Sequence, residues 1–356
     1  MAPVSLTEFE PVNIFYGVNG AGKTSVLESI HLLSSARSFR SHKLNPLINN
    51  SLEKCVVFGE VFLSGRGYLP VGVERYKATG RSGAIKVAGQ PVSSAAVLAE
   101  NLPVQVISSD TFKLLEGGPV VRRQFIDWGV FHVEQSFHAV WRNVQRGLKQ
   151  RNSLLRHGRI DQQQLHAWTL ELIKYSEQLD ALRLHYFQQF LPVFEKLLKR
   201  LVDLEDLSVS YFRGWDKTRD IADIFEENLL KEIDKGYTTV GPHRADLRLR
   251  YKAMAASEVL SRGQQKLVVC AMRVAQGLLL STLTGKQCVF LVDDLPSELD
   301  SMHRQALCEL LEEINCQVFL TCVDWKDVID YWSSENKVKL FHVEHGKISI
   351  NDSRIR

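Results

Sequence analysis

Eight consecutive residues carry the clearest chemistry in this 356-residue chain. Gly17-Val18-Asn19-Gly20-Ala21-Gly22-Lys23-Thr24 satisfies GxxxxGK[ST] at every fixed position. Glycines at those places let the backbone curl so that successive N–H groups point at phosphate oxygens, and a helix beginning at the end of the loop adds positive potential. Lys23 is then expected to neutralise the β- and γ-phosphates of ATP, and Thr24 to ligate Mg²⁺ through its hydroxyl. A second stretch, CVFLVDD, delivers Asp293 and Asp294 from an apolar strand, at the carboxyl end where α/β sheets hold ligands. Asp293 is expected to hold Mg²⁺ through water, and Asp294 to orient or deprotonate an attacking water. Residues 17 to 24 thus form the expected phosphate cradle, with Lys23, Asp293 and Asp294 as the catalytic set.

The elements needed to position these groups are legible. Val12-Asn13-Ile14-Phe15-Tyr16 is apolar and β-prone and runs into Gly17, while Val26, Leu27, Ile30 and Leu33 recur at helical spacing after Lys23. From Lys54 to about Val87, short β-prone runs separated by glycine-containing turns predict antiparallel hairpins. From about Pro119 to Asp206 the pattern predicts long amphipathic helices with a turn at HGRID, without the sustained heptads of a long coiled coil. Strands return at LSVSYF and in TTVGPHRADLRLRY, followed by the helix-prone SRGQQKLVVCAMRVAQG, CVFLVDD, a helix from about Ser301 to Ile314, QVFLT and a closing pair near KLFHVEHGKISI. The expected division is an α/β lobe in two parts, 1–118 and 207–356, with a helical lobe inserted over 119–206.

Composition, at 45% hydrophobic and 24% charged, is that of a soluble globular protein. No signal peptide is legible, and Arg273 interrupts the best candidate for a membrane helix, so a cytoplasmic protein without a membrane partner is expected. Six cysteines form no CxxC pair and are expected to be mostly buried thiols. The net charge is only +3, yet Arg142, Arg146, Lys149, Arg151, Arg156 and Arg159 crowd into a run without carboxylates. Such a run is either a solvated helix face or a polyanion site. Arg142, Arg146, Lys149 and Arg151 are the favoured DNA contacts, with Lys196, Lys199 and Arg200 as a second cluster.

Two further stretches narrow the class. Leu260-Ser261-Arg262-Gly263-Gln264-Gln265 resembles the LSGGQ signature of ABC ATPases, and Ser297-Glu298-Leu299-Asp300 resembles their D-loop, in the correct order after the cradle. A serine N-cap explains Ser261 alone but not the set. The resemblance implies that Ser261, Gly263, Gln264 and Asp300 complete the ATP site of a second protomer, giving an ATP-dependent homodimer. A small-molecule kinase would share the cradle but would not need a signature. A clamp like the SMC proteins is the nearer alternative, although their head domains carry a long coiled coil.

SARSFRS, LLEGGPVVRRQFIDWGVFH, LKQRNSLLR, TTVGPHRADLRL, LSRGQQKLVVCAMRVAQG and LVDDLPSELD together resemble the RecF family of bacterial recombination mediators over about residues 12 to 350. That resemblance implies an α/β, ABC-type P-loop ATPase head with an inserted helical lobe. It also implies an ATP-dependent dimer acting at single-stranded gaps in DNA during replication, recombinational repair and SOS induction, working with RecR and RecO to help RecA load. Arg37 and Arg40 could reach nucleotide or DNA phosphate, and Arg122 and Arg123 could equally pair with carboxylates in the fold. His243 is either a catalytic group or a satisfied histidine in a turn.

The chain departs from the family pattern in three ways. It begins only 16 residues before Gly17, where the family has a further strand and a Phe-Arg-Asn segment that approaches the nucleotide base. QVFLT ends in Thr321 and Cys322 where a switch histidine is common, and Ser108-Ser109-Asp110 stands near the expected Q-loop glutamine. Slow hydrolysis or a shortened gene model would follow, and slow hydrolysis is the expectation.

Overall fold

The computed structural model describes residues 4–41, 47–49, 51–77, 83–156, 161–333 and 337–351. Contacts divide the chain into two compact units, one of 1–112, 200–202 and 266–356, the other of 113–199 and 203–265.

The first unit is built on a six-stranded sheet in the spatial order Lys347–Asn351, Val338–Glu344, Val12–Tyr16, Gln317–Cys322, Val289–Val292 and Val104–Ile107. All neighbours are parallel except the Lys347–Asn351 edge strand. Ile14, Phe15, Phe290, Leu291, Val292, Leu320 and Phe341 are buried, as parallel strands covered on both faces require. Phe15 stacks on Phe341 at 4.6 Å between ring centroids. Register aligns the strand ends that matter: Tyr16 pairs with Cys322, and Val292 with both Leu320 and Ile107. Gly17, Asp293, the Thr321–Cys322 end and Ser108 therefore emerge along one edge, the carboxyl edge of the sheet. The expected hairpins form a separate antiparallel sheet of Lys54–Leu63, Gly67–Tyr76, Ile85–Val87 and Gln90–Pro91.

The second unit holds the helices Pro119–Val133, Phe137–Arg156 and most of Gln162–Leu201. It also holds the helix Ile221–Lys235 and a three-stranded antiparallel sheet of Leu207–Phe212, Asp246–Tyr251 and Met254–Ala255. Packing therefore groups 207–265 with the helices, whereas the boundary read at residue 206 marks where helical periodicity stops. Several contacts join the two: Arg122 grips Asp246 at 2.7 and 3.0 Å, Arg151 meets Glu232 at 2.6 Å, and the Phe187 and Tyr211 rings lie 6.2 Å apart. Of the HGRID turn, residues 157–160, Arg159 included, lie outside the described residues.

The helix Arg262–Thr284 is long and apolar enough, by length and composition, to cross a membrane in spite of Arg273. Its surroundings are protein: Val268, Val269, Ala271, Met272 and Val274 are fully buried. Arg273 donates to Gln105 Oε1 at 2.9 Å, and the same Gln105 donates to Gln276 at 3.0 Å. Burial pushes the Arg273 guanidinium down to about 10. Five of the six cysteines are buried and all six are free, and burial pushes the Cys270, Cys316 and Cys322 thiols up to about 12, so they stay neutral.

Candidate functional site

The loop between strand Val12–Tyr16 and helix Lys23–Ser35 owes its shape to three glycines with positive φ: Gly17 at 149°, Gly20 at 81° and Gly22 at 110°. Gly22 is the N-cap of the helix, so the loop ends on a helix amino terminus. The backbone N–H groups of Asn19, Gly20, Gly22 and Lys23 meet no acceptor among the described residues, which leaves donors available to an anion. Gly17 has a packing reason as well. A Cβ there would lie 2.2 Å from the Val343 carbonyl oxygen, whereas one at Gly20 would meet nothing within 4 Å. Gly17→Ala is accordingly expected to cost about 1–3 kcal/mol of stability, and Gly20→Ala less, as measured by urea unfolding.

Lys23 is buried, and its ammonium donates to the loop's own Gly17 and Val18 carbonyls at 2.6 and 3.1 Å. Thr24 Oγ1 donates to Asp293 Oδ1 at 2.9 Å, joining the cradle to the acidic strand. The same Asp293 oxygen accepts from Thr321 Oγ1 at 2.8 Å, and Thr321 Oγ1 in turn accepts from the Asp294 N–H at 2.7 Å. Asp294 sits in the left-handed region at φ 54°, and its buried Oδ1 has no hydrogen-bond partner. Lys23, Thr24, Asp293 and Asp294 are thus brought together as the sequence motifs required. Thr321, singled out only as a missing histidine, is the hydroxyl that ties the two aspartates to the neighbouring strand.

A hydroxyl facing a carboxylate, with a second carboxylate oxygen unpaired, is an all-oxygen donor set suited to Mg²⁺. Among the described residues no cluster of three or more His, Cys, Asp or Glu forms a metal cage.

Glu28 is a further site residue that motif reading passed over. It is buried one turn beyond Thr24, and burial raises its carboxyl above the usual range, opposed by the Ser38 hydroxyl bond and Arg40. Ser38 Oγ donates to Glu28 at 2.5 Å and accepts from the Arg40 and Ser41 N–H groups, each at 3.1 Å. SARSFRS is therefore a turn pinned to the loop helix, and it leaves Arg37 and Arg40 exposed. A carboxylate on the buried stripe of Val26, Leu27 and Leu32 was the signal available in the sequence.

The signature lies in the second unit, at the start of Arg262–Thr284. Ser261 and Gln264 form a capping box, Ser261 N–H to Gln264 Oε1 at 2.9 Å and Gln264 N–H to Ser261 Oγ at 3.3 Å. Ser261, Arg262 and Gly263 are exposed, and Gly263 has no neighbour near its Cβ position. In the first unit, Asp300 caps the helix Ser301–Glu313 by accepting from His303 N–H at 3.1 Å, and those bonds hold its carboxyl below the usual range.

The basic candidates separate sharply. Arg142 and Lys149 are exposed without ion-pair partners among the described residues, and Arg146 is exposed while paired with Glu171 at 2.7 Å. Arg151 corrects the expectation: it is fully buried, bonded to Glu232, to Thr238 Oγ1 at 2.8 Å and to Thr169 Oγ1 at 2.9 Å, over the Phe225 ring. Its helical position, in step with buried Val144, Leu148 and Leu155, makes it a core residue and not a DNA contact. Lys196 and Lys199 are exposed, while Arg200 is committed to Glu313 at 2.5 and 2.6 Å. Arg122 is paired with Asp246, and Arg123 donates to the Ala245 carbonyl at 2.7 Å. His243 Nε2 hydrogen-bonds the Thr238 carbonyl at 3.1 Å while its buried Nδ1 meets no partner among the described residues, and burial pushes the ring down to about 4, so it is a neutral histidine only half satisfied within its turn.

Comparison with known proteins agrees in sequence and in fold. Residues 3–349 match the RecF/RecN/SMC N terminal domain family. The DNA replication and repair protein RecF of Pseudomonas entomophila (strain L48) is 53% identical over 347 residues, covering 98% of this chain and 94% of that protein. RecF of Pseudomonas aeruginosa (strain LESB58) matches at the same identity and coverage. A solved structure of the recombination mediator protein RecF with ATP, in the RecFOR pathway, superposes with a TM-score of 0.84 at 23% identity, covering 97% of this chain and 93% of that one. The Smc head domain of Pyrococcus furiosus superposes at 0.56 and 12% identity, over 96% and 90% of the chains. The shared fold is that of an ABC-type ATPase head.

Proposed function

The chain belongs to the RecF branch of the RecF/RecN/SMC family, and on that premise we propose an ATP-gated DNA-binding protein of replication and recombinational repair. It dimerises on ATP at single-stranded gaps, hydrolyses ATP slowly to reset, and acts with RecO- and RecR-type partners to help RecA load. The observation that carries this reading is the linked set Lys23, Thr24, Asp293, Thr321 and Asp294 on the carboxyl edge of the sheet.

In operation the loop N–H groups and the helix amino terminus take the phosphates. Lys23 exchanges its loop carbonyls for β- and γ-phosphate oxygens. Thr24 and Asp293 would hold Mg²⁺, which supplies charge neutralisation at the phosphates. Asp294, freed of hydrogen bonds at Oδ1, orients water against the γ-phosphate. Ser261 and Gly263, exposed at a helix amino terminus, are positioned to receive the γ-phosphate carried by a second copy. Bound ATP favours the dimer because it contacts both chains, and hydrolysis removes those contacts.

Sedimentation tests this. Wild-type protein is expected to shift from monomer to dimer with ATP and Mg²⁺, and Ser261→Arg to remain monomeric while still binding nucleotide. Undiminished dimerisation of Ser261→Arg would overturn the shared-site reading. DNA affinity is expected to fall steeply with salt, as phosphate contacts by Arg142, Arg146 and Lys149 demand. Complexes on closed circular DNA that resist salt would instead favour a topological clamp.

A further inference from the structure

Trp141 lies on the helix Phe137–Arg156 with 36% of its surface open. Among the described residues its ring meets no other ring and its indole N–H meets no acceptor. It separates two hollows of the second unit. One, of about 240 Å³, is bordered by Arg123, Gln124, Gln145 and His243 above a floor of buried Val144 and Leu179. The other, of about 450 Å³, is bordered by Arg142, Asn143 and Arg146.

Charge around this tryptophan is one-sided. Asp127 is the one carboxylate of the lining, and both of its oxygens are taken by Arg183, at 2.7 and 2.9 Å. Glu171 neutralises Arg146 alone. Among the described residues Arg142 makes no ion pair, Arg123 donates to the Ala245 carbonyl without an ion pair, and the side-chain amides of Gln124 and Gln145 make no hydrogen bond. The floor is braced, since Arg183 also donates to the Pro242 carbonyl at 2.8 Å. The side chains beside the ring are mainly cations and amides, groups able to meet phosphates and base edges.

Resting on the DNA-binding reading above, we infer that Trp141 receives an unpaired base of single-stranded DNA, stacked on the indole between phosphates held by Arg123 and Arg142. Gln124 and Gln145 meet the base edge. A duplex keeps its base faces covered, so this site senses strandedness and tolerates any sequence.

The test measures binding of the full-length protein to oligo-dT, to a blunt duplex and to an abasic oligonucleotide of equal length, with nucleotide binding as the check on folding. Trp141→Ala is expected to weaken oligo-dT binding about ten-fold and to leave duplex binding unchanged. Trp141→Phe, which keeps a π face, restores most of the loss, and Trp141→Leu does not. Wild-type protein is expected to bind the abasic strand as weakly as Trp141→Ala binds oligo-dT. Equal losses on oligo-dT and duplex would overturn the inference, and so would a leucine that serves as well as tryptophan, the mark of a protein anchor. If wild-type protein binds DNA and Trp141→Ala matches it on every substrate, base stacking alone falls. If wild-type protein binds none of the three, the DNA-binding reading falls with it.

Discussion

Asp293→Asn is expected to cut Mg²⁺-dependent ATP turnover by about 10²-fold or more while leaving the fold intact. Asp293 Oδ1 accepts from Thr24 and Thr321, and an asparagine carbonyl can accept both bonds. The backbone is also indifferent, because Asp293 N–H bonds to the Ile107 carbonyl at 2.9 Å whatever the side chain. What disappears is the negative charge facing Thr24, and with it the strongest protein attraction for a divalent ion. Steady-state phosphate release across a Mg²⁺ titration decides the matter: turnover close to wild type would remove Asp293 from the reaction. Asp294→Asn separates the roles. Asparagine tolerates the left-handed backbone at this position, so lost turnover with unchanged Mg²⁺ dependence is the result expected of a residue acting on water.

Arg151→Ala is expected to destabilise the protein by about 3–5 kcal/mol. The pair with Glu232 is fully buried on both sides, and the Glu232 carboxylate also accepts from Thr239 N–H at 2.5 Å and Thr239 Oγ1 at 2.8 Å. Removing the guanidinium leaves a buried carboxylate without its countercharge, and leaves Thr169 and Thr238 without the donors they now accept. Urea unfolding should show a lowered midpoint, and Arg151→Met with Glu232→Leu should recover much of the loss, because apolar replacement of both partners removes the stranded charge. A stable Arg151→Ala with weakened DNA binding would return Arg151 to the DNA surface.

These cases show where sequence reading reaches its limit. GVNGAGKT and CVFLVDD were legible because their chemistry is local: a strand ends, glycines turn the chain, and a helix or an acidic pair follows. Their mutual approach follows from parallel strands aligned at their carboxyl ends, which the α/β pattern already implied. Arg151 stands in a basic run along the chain but on the buried side of its helix. Val144, Leu148, Arg151 and Leu155 recur at spacings of four, three and four, one buried stripe, whereas Arg142 and Lys149 fall outside it. Its partner Glu232 stands 81 residues away, a pairing no local pattern encodes. Thr321 was noticed for what it is not, a histidine, because a hydroxyl bridging two strand ends has no signature outside three dimensions. A boundary at 206 follows helical periodicity, whereas 207–265 joins the helices through contacts distant in sequence, such as Arg122 with Asp246 and the Phe187 ring with Tyr211.

The capping box at Ser261 bears on how quiet the protein is when unprovoked. In the single chain the serine hydroxyl accepts from the Gln264 backbone N–H and the Gln264 side-chain oxygen accepts from the Ser261 backbone N–H, so two N–H groups at this helix end are already taken. On the proposed shared site, a triphosphate carried by a second copy competes for those N–H groups. In the proposed dimer the capping box is thus the resting state of this helix end, and a second copy's triphosphate is what would end it.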